Sequence, residues 1–275
     1  MNGLKDRLRQ VSSKENVLVK ELRHSFTQAA LTEDGYCAIE GVRLLEEALR
    51  SGLRVKAVFF SQSARERANR LLPQISTHAD TLLLPDAVFR SAVATETPQG
   101  VAALVKLKTF AFADLLGNNP LLLGAAGVQD PGNLGTIIRS AEAMGASGVL
   151  TMEGTVHAIN PKVIRASAGS LFRLPVVKMD SAEAVRNLRD QGARILATSS
   201  HKGIPLDEAD LTEACCIFVG SEGAGISKEL IAEADEVIAI PHSERVESLN
   251  AGVAASIILY EAARQRRTAA RIQDE

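Results

Sequence analysis

The chain has 275 residues, 46% hydrophobic and 23% charged, a balance typical of globular proteins and more length than one domain usually holds. No apolar run reaches the roughly 20 residues of a membrane-spanning helix; the charged start lacks a signal-peptide core, and three Cys, two of them adjacent, make no disulfide framework, so a cytoplasmic location is expected. The net charge of −2 is unevenly spread: residues 1–108 hold 16 Lys and Arg against 12 Asp and Glu, and the rest hold 15 against 21. That division suits nucleic-acid capture by the first part and chemistry in the second.

In chain order, residues 14–30 show apolar positions at helical spacing, and a short strand at 36–40 leads into a helix over 42–50. Residues 55–60 are β-rich, a charged helix runs on through Leu72, and strands are expected at 81–84 and 101–105. Alternation of this length predicts a compact α/β domain over 1–107. Residues 108–119, with Lys108, Gly117, Asn118 and Asn119, are expected to be a linker. From 120 to 275 a second series begins, with strands near 121–128, 147–151, 174–178, 193–198, 215–219 and 236–240. Helices fall near 134–145, 160–168, 181–191 and 227–233, with a long one over 248–267. This predicts a mostly parallel sheet with ligands at the carboxyl ends of its strands.

Three segments of this second series carry chemistry. In the first, Asp130-Pro131-Gly132-Asn133 turns a strand into a helix that holds Arg139, Glu142 and Gly145. Taken alone, Asn133 could be a helix cap and Arg139–Glu142 a surface pair. The second is Gly220-Ser221-Glu222-Gly223-Ala224-Gly225 after a β-rich run. It has neither the dinucleotide glycine spacing nor a phosphate-binding lysine. Its carboxylate disfavours a phosphate and suits a neutral or cationic ligand, while a plain tight turn stays open. In the third, Ile240-Pro241 ends a strand and Ser248-Leu249-Asn250 enters an Ala-rich helix, with Ser248 expected as its cap. The small face Ala251/Ala254/Ala255 permits close packing of another helix, within the chain or across a dimer. His24, His78, His157, His201 and His242 show no metal-ligand spacing, so no metal is expected.

Together, in this order and spacing, the three segments resemble the motifs of the SpoU (TrmH-like) RNA 2′-O-ribose methyltransferases of the SPOUT superfamily. The likeness rests on Asn133, Arg139, Glu142, Ala143 and Gly145; on Gly220, Glu222 and Gly225; and on Ile240-Pro241, Ser248-Leu249-Asn250 and Gly252. It covers residues 120–268. Val19-Lys20-Glu21-Leu22 and Ile39-Glu40-Gly41-Val42-Arg43 make the first part similar to an L30e-like (L7Ae-like) RNA substrate-binding domain. The resemblance implies an α/β-knot fold, with a deep C-terminal trefoil knot in the methyltransferase domain and the small α/β domain before it.

It further implies an S-adenosylmethionine-dependent methyltransferase acting on the 2′-hydroxyl of structured RNA, with ribosomal RNA favoured over transfer RNA, and a homodimer whose active site lies at the subunit contact. Cofactor-lining positions carried over are Thr198, Gly220, Ile240 and Leu249. The family assigns activation of the hydroxyl to the counterpart of Arg139. Because arginine stays protonated, its defensible role is a cation that lowers the hydroxyl's pKa or binds the neighbouring phosphate. Asn133, Glu222, Ser248 and Asn250 are expected to orient Arg139 and the ribose. Lys5, Arg7, Arg9, Lys14, Lys20 and Arg23 are candidates for RNA phosphate contacts. Competing readings are a transfer-RNA methyltransferase, a non-catalytic RNA-binding assembly factor of the same fold, and a nucleotide-dependent enzyme of small metabolites, the last weakened by the missing phosphate loop.

Overall fold

The computed structural model describes residues 7–200 and 202–273, and its alternating strands and helices form two units, each around its own sheet. The first unit runs to Thr109 and includes Ile159–Arg173; the second comprises Phe110–Ala158 and Leu174–Glu275. An uninterrupted domain over 120–275 was expected, so the excursion at 159–173 is a departure from it. The expected linker also differs: Phe110 and Phe112 pack against the second unit's core, and Leu115 is fully buried within it. Apolar side chains there gain more from burial than a solvated connection would give.

In the first unit the elements are β1 (Leu8–Gln10), α1 (Val17–Gln28), β2 (Cys37–Glu40), α2 (Val42–Arg50) and β3 (Arg54–Ser61). They continue with α3 (Arg65–Leu71), β4 (Asp80–Leu84), α4 (Asp86–Ala92) and β5 (Val101–Lys106). The sheet order is β1-β4-β3-β5-β2. Strands β1, β4 and β3 are parallel, while β5 runs antiparallel to both β3 and β2. Asn16 caps α1 by accepting from the Leu18 amide at 3.0 Å, and the helix buries Val19, Leu22 and Phe26 against Phe59, Leu82, Phe89 and Leu104. That buried face is the period read at 14–30.

The second unit contains β6 (Leu121–Ala126), α5 (Pro131–Ala143), β7 (Gly148–Thr151), β8 (Val176–Lys178), α7 (Ser181–Asp190) and β9 (Arg194–Thr198). After these come β10 (Ile204–Pro205), β11 (Cys215–Gly220), α8 (Lys228–Ala232), β12 (Glu236–Ala239) and α9 (Ala251–Gln273). Helix α6 (Pro161–Ala166) belongs to the excursion and packs with β2 of the first unit. The sheet order is β10-β12-β9-β11-β6-β7-β8, with every pair parallel. Both faces of such a sheet are covered, so its strands are nearly continuous apolar runs such as Leu121-Leu122-Leu123 and Cys215-Cys216-Ile217-Phe218-Val219. Gly124 sits mid-strand because a Cβ there would lie 2.2 Å from the Phe218 ring.

Parallel pairing puts all the strand carboxyl ends on one edge. Since β12, β9, β11 and β6 are adjacent, the segments after them open side by side although they are far apart in sequence. Helices α5 and α9 pack together: Ser140 and Ser256 hydroxyls meet at 2.7 Å, and a Cβ on Gly252 would lie 3.1 Å from Thr136. Gly252 and Ser256 of α9 therefore meet a helix of its own chain, whereas Ala251 and Ala254 of the expected small face line a cleft at the sheet's carboxyl edge. No helix among the described residues is long and apolar enough to cross a membrane.

Candidate active site

Three of those segments converge on a cleft of about 400 Å³ at the sheet's carboxyl edge. Thr198 and Lys202 come from the end of β9, Gly220 to Ile226 from the loop after β11, and Ile240, His242, Ser248 and Leu249 from the loop after β12. All four expected cofactor positions, Thr198, Gly220, Ile240 and Leu249, thus line one space. Its walls combine apolar side chains from Ile226, Ile240 and Leu249 with the polar edges of the loops, the usual make-up of a small-molecule site.

The loop after β11 is shaped by its own backbone. Ser221 and Gly225 form an antiparallel bridge, the Gly225 amide donates to Ser221 O at 2.9 Å, and Gly225 takes φ +66°. A Cβ on Gly220 would stand 2.2 Å from the Gly225 carbonyl carbon. The close approach expected at Gly220 is therefore made first by the chain itself, and it presents Glu222 at the cleft.

At that mouth three side chains from distant segments lock together. Asn133 Nδ2 donates to Glu222 Oε1 at 2.9 Å, and Asn250 Nδ2 donates to the same oxygen at 2.6 Å and to Asn133 Oδ1 at 2.8 Å. The Ala251 amide, in the first turn of α9, adds a longer contact to Glu222 Oε1 at 3.4 Å. Each element delivers its residue for a local reason. Asp130 caps α5 by accepting from the Asn133 amide at 2.8 Å, with Pro131 at the first helical position, which leaves the Asn133 side chain free to reach outward. Asn250 caps α9, its Oδ1 accepting from the Val253 amide at 3.1 Å, so its Nδ2 must point away from the helix toward Glu222.

Two expectations change here. The cap of α9 is Asn250, not Ser248, because the helix begins at Ala251; Ser248 lines the cleft and is not hydrogen-bonded to the three-residue set. Arg139 is not held by Asn133, Glu222, Ser248 or Asn250. It is exposed and, among the described residues, makes no hydrogen bond or ion pair, including with Glu142. It stands six residues beyond Asn133 on α5, about 9 Å along the axis and well round the helix from it. His242 also lines the cleft, with Nδ1 2.7 Å from Ile240 O.

Other chemistry has little support. Burial raises the thiols of Cys215 and Cys216 and pushes Cys37 up to about 12, which removes a reactive thiolate. Among the described residues no group of three or more His, Cys, Asp or Glu could hold a metal ion. Of the basic residues near the start, Lys5 lies outside the described residues, the Lys14 ammonium makes no hydrogen bond or ion pair among the described residues, and the other four have partners in the chain. Arg7 donates to the carbonyls of Leu72, Ile75 and Ser76 at 3.2, 3.0 and 2.8 Å. Arg9 pairs with Asp80, Lys20 pairs with Glu15, and Arg23 donates to the carbonyls of Ser91 and Lys14. Their charge did not reveal these local commitments.

Residues 120–260 match the SpoU rRNA methylase family, and residues 16–103 match the MRM3-like substrate binding domain. The 23S rRNA (guanosine(2553)-2′-O)-methyltransferase RlmP of Bacillus subtilis is 34% identical over 253 residues, spanning 92% of this chain and 98% of that protein. The AdoMet-bound rRNA methyltransferase of Sinorhizobium meliloti superposes with a TM-score of 0.81 at 27% identity, covering 94% of this chain and 98% of the other. The SpoU methyltransferase AviRb of Streptomyces viridochromogenes, in complex with AdoMet, gives 0.80 at 27% identity, covering 92% and 99%.

Proposed function

This chain belongs to the SpoU rRNA methylase family, and on that premise we propose that it methylates a ribose 2′-hydroxyl of ribosomal RNA at the cleft bounded by Gly220, Ile240 and Leu249. The carrying observation is the hydrogen-bonded set Asn133–Glu222–Asn250, which fixes a carboxylate at the cleft mouth from three separate segments. S-adenosylmethionine supplies the electrophilic methyl group. The cleft suits it: its volume is of small-molecule size, Ile226, Ile240 and Leu249 give it apolar walls, and the Glu222 carboxylate in its lining favours a cationic ligand over an anionic one.

Bound S-adenosylmethionine would give its methyl group to the ribose oxygen and leave as S-adenosylhomocysteine, and the hydroxyl proton would pass to water. Positioning supplies most of what such an in-line displacement needs. Asn133 and Asn250 act as positioning residues that hold Glu222, whose Oε2 has no partner among the described residues and so remains for a ligand. Arg139 is the cation that stabilises the developing alkoxide or grips the adjoining phosphate.

The distance of Arg139 from its own cleft is accommodated if a second copy completes the site. Val253, Ile257 and Tyr260 on α9, at i, i+4 and i+7, are 48%, 38% and 53% exposed and form one apolar stripe, which supports a homodimer. A trefoil knot and a cytoplasmic location go with this reading through family membership.

The test is complementation. Arg139→Ala should abolish transfer of labelled methyl to transcribed ribosomal RNA while still binding S-adenosylmethionine. Mixing it with Asn250→Ala should restore about a quarter of wild-type activity, through the one intact site of each mixed dimer. Full activity of Arg139→Ala would sink its assignment; inactive mixed dimers would place Arg139 in its own subunit's site.

A further inference from the structure

The first unit holds a second cavity, of about 420 Å³, to which the methyl-transfer reading gives no role. It lies between the end of β2, the start of α2, the loop before β5 and helix α6 of the excursion; polar groups share its lining with Leu44 and Ala168, and the Glu47 carboxylate in it is already paired with Arg50 and Arg173. Glu40 is central: Oε1 accepts from the Thr95 hydroxyl, whereas Oε2 is buried without a hydrogen-bond partner. Burial raises its carboxyl pKa, opposed by the Thr95 bond and the charge of Arg165. Arg43 and Arg165 line the same cavity, and among the described residues neither has an ion-pair partner. Gln99 adds a side-chain amide, 3.5 Å from where a Cβ on Gly41 would stand.

A buried acceptor without a partner costs stability unless something satisfies it. Two unpaired guanidiniums beside it call for an anion. No single small anion meets both demands, because it would be repelled by Glu40. A nucleotide meets both, with an N–H on its base edge for the carboxylate and a phosphate for the arginines.

We infer that this cavity binds one unpaired RNA nucleotide, its base edge on Glu40 and Gln99 and its phosphate on Arg43 and Arg165. The inference rests on the reading of the chain as an RNA methyltransferase and deepens it by locating where unpaired RNA is gripped. It also gives the excursion a purpose, since Arg165 reaches the first unit only because residues 159–173 pack there.

The experiment uses the full chain and transcribed ribosomal RNA that the wild type methylates. Arg165→Gln and Glu40→Gln are expected to raise KM for RNA about tenfold, as loss of a charge-assisted hydrogen bond implies. Both should keep wild-type kcat, melting temperature and S-adenosylmethionine affinity. Ultraviolet crosslinking should attach RNA to the peptides holding Glu40–Glu47 and Thr95–Gln99 in the wild type, and much less in Arg165→Gln. KM within twofold of wild type in both variants, with crosslinks elsewhere, overturns the inference while leaving methyl transfer intact.

If the wild type methylates no ribosomal RNA, the functional reading fails separately, and the cavity is then tested with GMP and AMP by calorimetry. Binding lost in Arg165→Gln upholds a nucleotide site. No binding, or binding unchanged in that variant, overturns it. Free nucleotides binding more tightly than RNA would assign the cavity to a soluble nucleotide and overturn the RNA assignment.

Discussion

Replacing Asn250 by alanine removes two contributions made by opposite ends of one amide. The Oδ1 caps α9 through the Val253 amide, and such caps contribute about 1 kcal/mol. The Nδ2 donates to Glu222 and Asn133; a hydrogen bond to a charged group contributes about 1.5–3 kcal/mol when dry, and roughly 1 kcal/mol here because Glu222 is exposed and solvent competes. Asn250→Ala should therefore lose about 2 kcal/mol, a fall in Tm of roughly 4–8 °C for a unit of this size. Asn250→Ser keeps a capping oxygen but cannot hold Glu222, so it should lose only about half as much stability. Both variants should lose methyl transfer alike, by about 10- to 100-fold in kcat/KM, since a misplaced group costs that much in a positioned reaction. Thermal melts followed by circular dichroism and label transfer to ribosomal RNA read the two effects separately. Equal melting of the two variants would refute the cap, and full transfer by Asn250→Ser would refute the positioning role.

Gly220→Ala puts a methyl 2.2 Å from the Gly225 backbone and should displace the loop, weakening S-adenosylmethionine binding at least tenfold in calorimetry; Gly223→Ala, with nothing within 4 Å, should bind normally. Glu153 accepts from the Ser181 hydroxyl and amide at 2.6 and 3.0 Å, and chiefly the hydroxyl bond lowers its pKa from the ordinary 4.5 to about 2. A depressed carboxyl stabilises the fold fully above its unfolded value and loses that stabilisation as pH falls toward the folded one. Glu153→Gln should thus be less stable than wild type in urea at pH 7, with the gap closing between pH 4.5 and 2; a constant gap would refute the linkage. Ile257→Arg should give a monomer by sedimentation with an unchanged circular dichroism spectrum, and a persisting dimer would remove the α9 stripe from the interface.

Much of the fold was legible because its signals are local. The apolar runs of β6 and β11 and the helical period of α1 and α2 are written in consecutive residues. The elements that escaped notice are short or weakly patterned: β1 with three residues, β10 with two, and α4 with seven residues behind Pro85. A three-residue edge strand has no period to read, and it exists because Leu8, Arg9 and Gln10 find partners on β4. The candidate site was legible in part, since Arg139 and Ser248, read together with the other three, stand outside the hydrogen-bonded set. Asn133, Glu222 and Asn250 all stood out in the sequence, although Asn250 was not recognised as the cap of α9.

Spacing and residue type by themselves determined the three segments and the parallel α/β class, and the family resemblance those segments carry singled out the polar residues that meet. Helical geometry, strand chemistry and glycine requirements act within a few residues of the chain, so they leave a readable record. Which of those residues touch was decided only by tertiary structure. Parallel strand order places β9, β11 and β12 side by side and brings Glu222 to Asn133 and Asn250, while α5 carries Arg139 away from them. The same holds for residues 159–173, which pack with the first unit and bring Arg165 to Glu40's cavity. Contacts across 89 or 117 residues, like those of Asn133 with Glu222 and Asn250, depend on how whole elements pack, and no local pattern encodes them.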